Sequence, residues 1–357
     1  MRIGILTVHR AINVGAVLQT YALQELLKHL GHDVQVIDYR QADVERKDRS
    51  PIGFKSWLRL CLHFHPRSAL LFLKRRNEVM KRRAGFDNFI NKWLNLTDSC
   101  TKDNIPDDFD AYVIGSDQLW NRNILLGHND LVFWGNFKHK DNSKIISYAI
   151  STSVADIASN DQDFITSSLR NFSFISLREK ETVDYFNQQY TLLNPTQLVL
   201  DPTLTANRAI WENIRAHRFD NEKYVLVYAA RSYEKDPMLL MRKARALADE
   251  LGCDVKTLEI EHVPDFVDII ANAQYVISSS FHGIAFSLIF NRPLFAVLYG
   301  DEQDARYKNL LHLLNAEKML VNINDEFRPT AIDYAPINET LDIWKKRSIE
   351  FVKQLDS

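Results

Sequence analysis

Three cysteines are few for a chain of 357 residues, and Cys61, Cys100 and Cys253 lie far apart with no CxxC and no metal-ligand spacing. That excludes a disulfide framework and fits a reducing, cytoplasmic setting. Neither sign of charge dominates: 44 Lys and Arg against 46 Asp and Glu leave a formal net charge of -2, with no global pull toward nucleic acid. No apolar run reaches the ~18 residues of a membrane span. Residues 1–8 read as a strand, too short for the apolar core and cleavage site of a signal peptide. Short-period repeats and low-complexity tracts are missing as well. The acidic cluster Asp107-Asp108-Phe109-Asp110 precedes a strand and reads as a turn, so no metal is expected. What remains is a composition of 46% hydrophobic and 25% charged residues, that of a soluble globular protein long enough for two domains.

Strand and helix periods then alternate along the chain. Residues 3–8 predict a strand, 9–15 a loop, 16–30 a helix with a broad apolar face, and 34–39 a second strand. This is a βαβ unit, and parallel sheets bind ligands beyond the carboxyl ends of their strands. The loop lacks G-x-G-x-x-G, which excludes the nicotinamide fingerprint. Asn13 and Gly15 either let a ligand approach the backbone or only form a tight turn. Further strands are expected at 111–114, 144–150, 174–177 and 197–200. The pattern restarts with strands at 224–229, 255–260, 274–277 and 294–298 and helices at 237–251, 264–273, 284–290 and 306–314. A last helix is expected at 339–355. Asp201-Pro202-Thr203 reads as the hinge between two α/β halves. The domains are therefore expected at 1–200 and 201–340, with a helical insertion around 50–95 and a terminal helix, 341–357, that packs back across them. Two such halves place a ligand cleft between them.

Polar residues at strand ends are the candidates for chemistry. The stretch Ser278-Ser279-Ser280-Phe281-His282-Gly283 joins a buried strand to a helix. Unpaired N–H groups and the helix dipole make such a junction an anion site, and the dipole disfavours a charged histidine there. The plainer reading is a serine helix cap beside a satisfied core histidine. Gly115-Ser116-Asp117-Gln118 ends another strand, where Asp117 serves as a general acid, as a sugar anchor, or simply as a turn residue. Arg178 ends a third strand and can fork onto carboxylate or phosphate, or pair with a neighbouring glutamate.

Residues 55–83 have a different character. Nine cations (Lys55, Arg59, Arg67, Lys74, Arg75, Arg76, Lys81, Arg82 and Arg83) accompany a single acid, Glu78, with leucines and aromatics between them. This pattern suits either an anionic membrane surface or a helical insertion with a solvated charged face. No nucleic-acid-binding motif accompanies the charge.

Five stretches recur in a known order: Asn13-x-Gly15-Ala16-x-Leu18-Gln19-x-Tyr21-Ala22-Leu23, Gly115-Ser116-Asp117-Gln118-x-Trp120, Ser176-x-Arg178-Glu179, Asp201-Pro202-Thr203 and Ser279-Ser280-Phe281-His282-Gly283. Together they resemble the polysaccharide pyruvyl transferase family from the first strand to about residue 314. The basic segment is not part of the resemblance. The resemblance implies an α/β fold of two Rossmann-like domains facing a cleft, a GT-B-like architecture. It also implies transfer of the pyruvyl group of phosphoenolpyruvate to a sugar of a cell-surface glycan or its polyprenyl-diphosphate-linked precursor, commonly as a cyclic ketal, without a further cofactor. By this resemblance Arg178 and His282 contact phosphoenolpyruvate. Asn13, Gln19 and Asp117 line the opposite wall, with Gly15, Ser116 and Gln118 as further substrate-binding candidates. Ser278, Ser279, Ser280 and Gly283 hold phosphate, and Arg231 and Arg306 are added from position and chemistry. The alternative is a sugar-nucleotide glycosyltransferase of the same architecture, since fold does not determine chemistry. A lipid-linked acceptor would give the basic segment a use at the inner face of the cell membrane.

Overall fold

The computed structural model describes residues 1–41, 66–122, 127–228, 237–258 and 260–357. The chain divides into two compact units, Met1–Phe174 with Ile260–Val263, and Ile175–Glu259 with Pro264–Ser357. The first sheet comprises β1 (Arg2–Leu6), β2 (Asp33–Val36), β3 (Ala111–Asp117), β4 (Lys144–Ile150), β5 (Phe174–Leu177) and β6 (Gln197–Leu198), in the order β2-β1-β3-β4-β5-β6. The second comprises β7 (Tyr224–Tyr228), β8 (Asp254–Thr257), β9 (Tyr275–Ser278), β10 (Leu294–Leu298) and β11 (Leu320–Asn322), in the order β11-β10-β9-β7-β8. The described pairings are parallel: Ile3 lies between Val34 and Ala111, and Ile277 between Val227 and Phe295. The expected α/β class of two parallel-sheet units is the one observed.

In the first unit α1 (Val14–His29) starts two residues earlier than its apolar periodicity suggests, because Asn13 caps it. Helix α2 (Pro66–Trp93) falls within the span 50–95 of the expected helical insertion, whose residues 50–65 lie outside the described residues. Its last turns bury Phe86, Phe89 and Ile90, and Tyr21 of α1 meets Phe89 and Trp93 edge-on at 5.8 Å each. Gln24 secures the exit of α2, donating to Trp93 O (3.0 Å) and accepting from Asn95 N (2.7 Å). Lys74, Arg76, Lys81 and Arg82 stay exposed, so in the described part the apolar side packs and the basic side faces solvent. Short helices α3 (Val154–Ala158) and α4 (Gln162–Leu169) follow β4.

In the second unit α5 (Lys180–Gln189), α6 (Pro202–Thr205) and α7 (Ala209–Ile214) precede β7. Then come α8 (Pro237–Leu251), α9 (Val263–Asn272), α10 (Phe281–Ile289), α11 (Ala305–Leu313) and α12 (Ala335–Lys353). Val225, Val227, Leu240, Ala244, Leu247, Ile277, Phe295 and Val297 form one buried cluster between sheet and helix. Each large apolar side chain there stabilises by about 1.5–3 kcal/mol. The terminal helix starts at residue 335 rather than 339, with Pro336 in its first turn, where the missing N–H costs nothing. It packs on α6, and its Ser348 Oγ accepts from Leu200 N at 2.9 Å.

Candidate functional site

Three of the expected stretches converge in the second unit on one carboxylate. Asp201 opens α6, and Thr203 N (2.9 Å) and Thr203 Oγ1 (2.6 Å) both donate to its Oδ1. Arg178, one residue beyond β5, donates through Nη1 to Oδ2. His282, in the first turn of α10, brings Nε2 to 3.8 Å from the same Oδ2. The Asp201 side chain is 0% exposed, Arg178 4% and His282 13%, so this is a buried group with one partly open member. Burial pushes the Asp201 carboxyl up, but Arg178, His282 and Thr203 together hold it below the usual carboxylate range. The Arg178 guanidinium also lies over the Phe281 ring, 4.7 Å from its centroid, which fixes its plane.

Helix α10 begins at Phe281, three residues before the expected start, and Ser280 caps it. His282 therefore sits inside the first turn. The three serines divide their tasks. Ser278 Oγ donates to Tyr228 O (2.7 Å) and accepts from Ser280 N (3.1 Å), which ties β9 to β7. Ser280 Oγ accepts from Gly283 N at 3.5 Å. Ser279 Oγ is buried without a partner among the described residues, the condition of a hydroxyl that a bound anion would satisfy. Gly283 is needed for packing: a Cβ there would lie 2.4 Å from Ser278 Oγ and 2.9 Å from Tyr228 Cδ1. Arg306 lies half-buried in the first turn of α11. Arg231 lies outside the described residues.

In the first unit the expected residues also gather, around the end of β3. Gln19 is fully buried, donating to Thr7 Oγ1 and Ala16 O (2.9 Å each) and accepting from Ser116 N (3.0 Å). Ser116 Oγ donates to Ala149 O at 2.7 Å. The peptide between Gly115 and Ser116 is cis, and Asp117 adopts a left-handed φ of 79°. Asp117 Oδ1 accepts from Gln118 N at 2.9 Å, and Gln118 Oε1 from Asn121 Nδ2 at 3.3 Å. Asn13 Oδ1 accepts from Gly15 N at 3.0 Å and is exposed. Gln19 and Ser116 thus hold the strand ends together, while Asn13, Asp117 and Gln118 keep partial access to solvent.

Sequence reasoning missed two carboxylates. Asp201 was legible only within the Asp201-Pro202-Thr203 stretch, read as a hinge and as part of the family pattern and not as a site residue. Asp38, just past β2, accepts from His9 Nε2 (3.0 Å), Arg10 Nε and Nη2 (2.9 Å each), Arg40 Nη2 (3.1 Å) and Ser99 Oγ (2.7 Å). A histidine and an arginine directly after the first strand were the available signal, but their partner lies 28 residues on. Among the described residues His217, Asp220 and Asp268 bring possible metal-ligand atoms within 4.8 Å of one another. Arg215 already occupies that cluster, with ion pairs of 2.5 Å to Asp220 and 3.1 Å to Asp268.

Among solved structures, the chain is similar to the UDP-GlcNAc 2-epimerase of Neisseria meningitidis bound to UDP-GlcNAc (11% identity, 99% of this chain and 100% of that one, TM-score 0.48). It is also similar to the glycosyltransferase SnogD of Streptomyces nogalater (11%, 98% and 95%, TM-score 0.42) and to the E. coli heptosyltransferase WaaC with ADP (12%, 97% and 99%, TM-score 0.41). Identities and scores this low carry no chemistry across. No curated protein sequence matches the chain. The family model of polysaccharide pyruvyl transferase, by contrast, matches residues 13–301. That span opens on the α1 cap and runs past the start of α10, so Arg178, Asp201 and His282 all fall inside it. By this match the chain belongs to the polysaccharide pyruvyl transferase family.

Proposed function

We propose that the protein transfers the pyruvyl group of phosphoenolpyruvate to a saccharide of a cell-surface glycan or its lipid-linked precursor, forming a cyclic ketal and releasing phosphate. The observation that carries the reading is the meeting of Arg178 and His282 on buried Asp201, beside the amino terminus of α10. Phosphoenolpyruvate carries a carboxylate and a phosphate, which call for a guanidinium and a helix N-terminus. In the proposed step an acceptor oxygen attacks C2 while His282 takes its proton, and C3 gains a proton from solvent. Phosphate then leaves, stabilised by the same cation and amides, and a second hydroxyl of the sugar closes the ketal at C2 as its proton passes to the released phosphate. Arg178 clamps the donor, and the partnerless Ser279 hydroxyl and the α10 amides receive phosphate.

No described helix is long and apolar enough to cross a membrane. The exposed cations of α2 support a second element of the proposal, that this helix rests on an anionic lipid surface where a lipid-linked acceptor is found.

Phosphate release from phosphoenolpyruvate, measured over galactose-, mannose- and glucose-containing acceptors, tests the reading. Acceptor-dependent release that falls by ~10²–10⁴-fold in His282→Ala is the expected result. Full activity in that variant removes His282 from the chemistry. Saturable UDP-sugar binding with no response to phosphoenolpyruvate would replace the reading with glycosyl transfer.

A further inference from the structure

We infer that Asp201 is a positioning residue that selects the tautomer of His282, resting on the reading of His282 as the base. The inference comes from how the two carboxylate oxygens are used. Oδ1 is committed to Thr203 N and Thr203 Oγ1, which lock the carboxylate in plane at the start of α6. Oδ2 receives Arg178 Nη1 and faces His282 Nε2 at 3.8 Å. Nε2 is itself buried, so an ionised acceptor is the group against which it rests. A carboxylate accepts and cannot donate, so it stabilises the tautomer with hydrogen on Nε2. Nδ1 then holds the ring's lone pair. A proton taken from an acceptor hydroxyl goes to Nδ1, and the resulting cation keeps its Nε2–H directed at Asp201. Catalytic hydrogen bonds are often long before substrate binds, and a sub-ångström ring movement brings 3.8 Å to bonding distance.

The shared oxygen adds a second consequence. Arg178 and His282 compete for Oδ2, so an anion that draws the guanidinium toward itself leaves Oδ2 more fully to the imidazole. Donor binding and base alignment are thereby coupled through one atom. Asp201 itself touches neither donor nor acceptor in this scheme.

The test is Asp201→Asn. The amide keeps an oxygen for the two Thr203 donors and so turns its NH₂ toward Nε2, which then must accept, and the hydrogen moves to Nδ1. In protein labelled with ¹⁵N-histidine, the His282 signals are identified by their loss in His282→Gln. Wild type is expected to show the Nε2–H pattern and Asp201→Asn the Nδ1–H pattern, with kcat lower by ~10²–10⁴-fold. Thr203→Val serves as the comparison, because it removes an Oδ1 donor and leaves Oδ2 in place. Its loss of stability is expected without the tautomer change and with far less loss of kcat. The same tautomer in wild type and Asp201→Asn, or a kcat loss that merely tracks stability in both variants, overturns the inference. The tautomer is read without turnover, so a protein that fails to release phosphate from phosphoenolpyruvate refutes the functional reading separately.

Discussion

Gly283→Ala isolates packing from chemistry at the start of α10. The new Cβ would lie 2.4 Å from Ser278 Oγ, 2.9 Å from Tyr228 Cδ1 and 3.3 Å from Ser278 Cβ, so something must shift. Ser278 cannot turn away cheaply, because its hydroxyl donates to Tyr228 O and accepts from Ser280 N. Overpacking of this kind costs about 1–3 kcal/mol, and each displaced hydrogen bond about 0.5–1.5 kcal/mol more. Alanine's better helix propensity returns about 1 kcal/mol. The expected net destabilisation is about 3 kcal/mol, a fall in Tm of about 6–12 °C for a unit of this size. Urea unfolding of wild type, Gly283→Ala, Ser278→Ala and the double variant forms a cycle. Ser278→Ala removes the nearest atom, so the double variant should be less destabilised than the two single losses added together, by about 1 kcal/mol or more. Strict additivity, or a Gly283→Ala variant within about 0.5 kcal/mol of wild type, would falsify the claim that glycine is required by this contact.

Two further expectations concern the first unit. Burial pushes the Asp38 carboxyl up, but His9, Arg10 and Ser99 more than offset that and hold it below the usual carboxylate range. A lowered folded pKa stabilises above the unfolded value, about 3.9, and that stability is lost as pH falls toward the folded value. Asp38→Asn, which leaves two arginines and a histidine around a neutral amide, should cost about 3–5 kcal/mol at neutral pH. The gap to wild type should narrow below pH ~4 in urea melts, and a gap that stays constant there would contradict the ion-pair account. For α2, replacing Lys74, Arg76, Lys81 and Arg82 together by Glu should abolish flotation with phosphatidylglycerol vesicles, at about 1 kcal/mol per cation removed. Flotation of wild type that ignores both salt and lipid charge would eliminate the membrane role.

Much of this protein could be read from local pattern. The continuous apolar run Tyr275-Val276-Ile277 can bury both faces only as a central strand, and β9 lies between β7 and β10 as that requires. Asn13 and Ser280 precede apolar helical periods and do cap α1 and α10, since a short polar side chain satisfies the first N–H groups wherever the helix lies. Local chemistry determined these features. Only the tertiary structure decided which polar residues share an environment. Arg178 and Asp201, 23 residues apart, follow the paired parallel strands β5 and β6, whereas His282, 81 residues further on, follows β9 of the second sheet, and only the folded chain brings the three together. The same holds for Gln19 with Ser116, and for His9 and Arg10 with Asp38. A carboxylate's partners depend on which strand ends are neighbours, and sheet order is set by the burial of whole faces rather than by any residue's own preference.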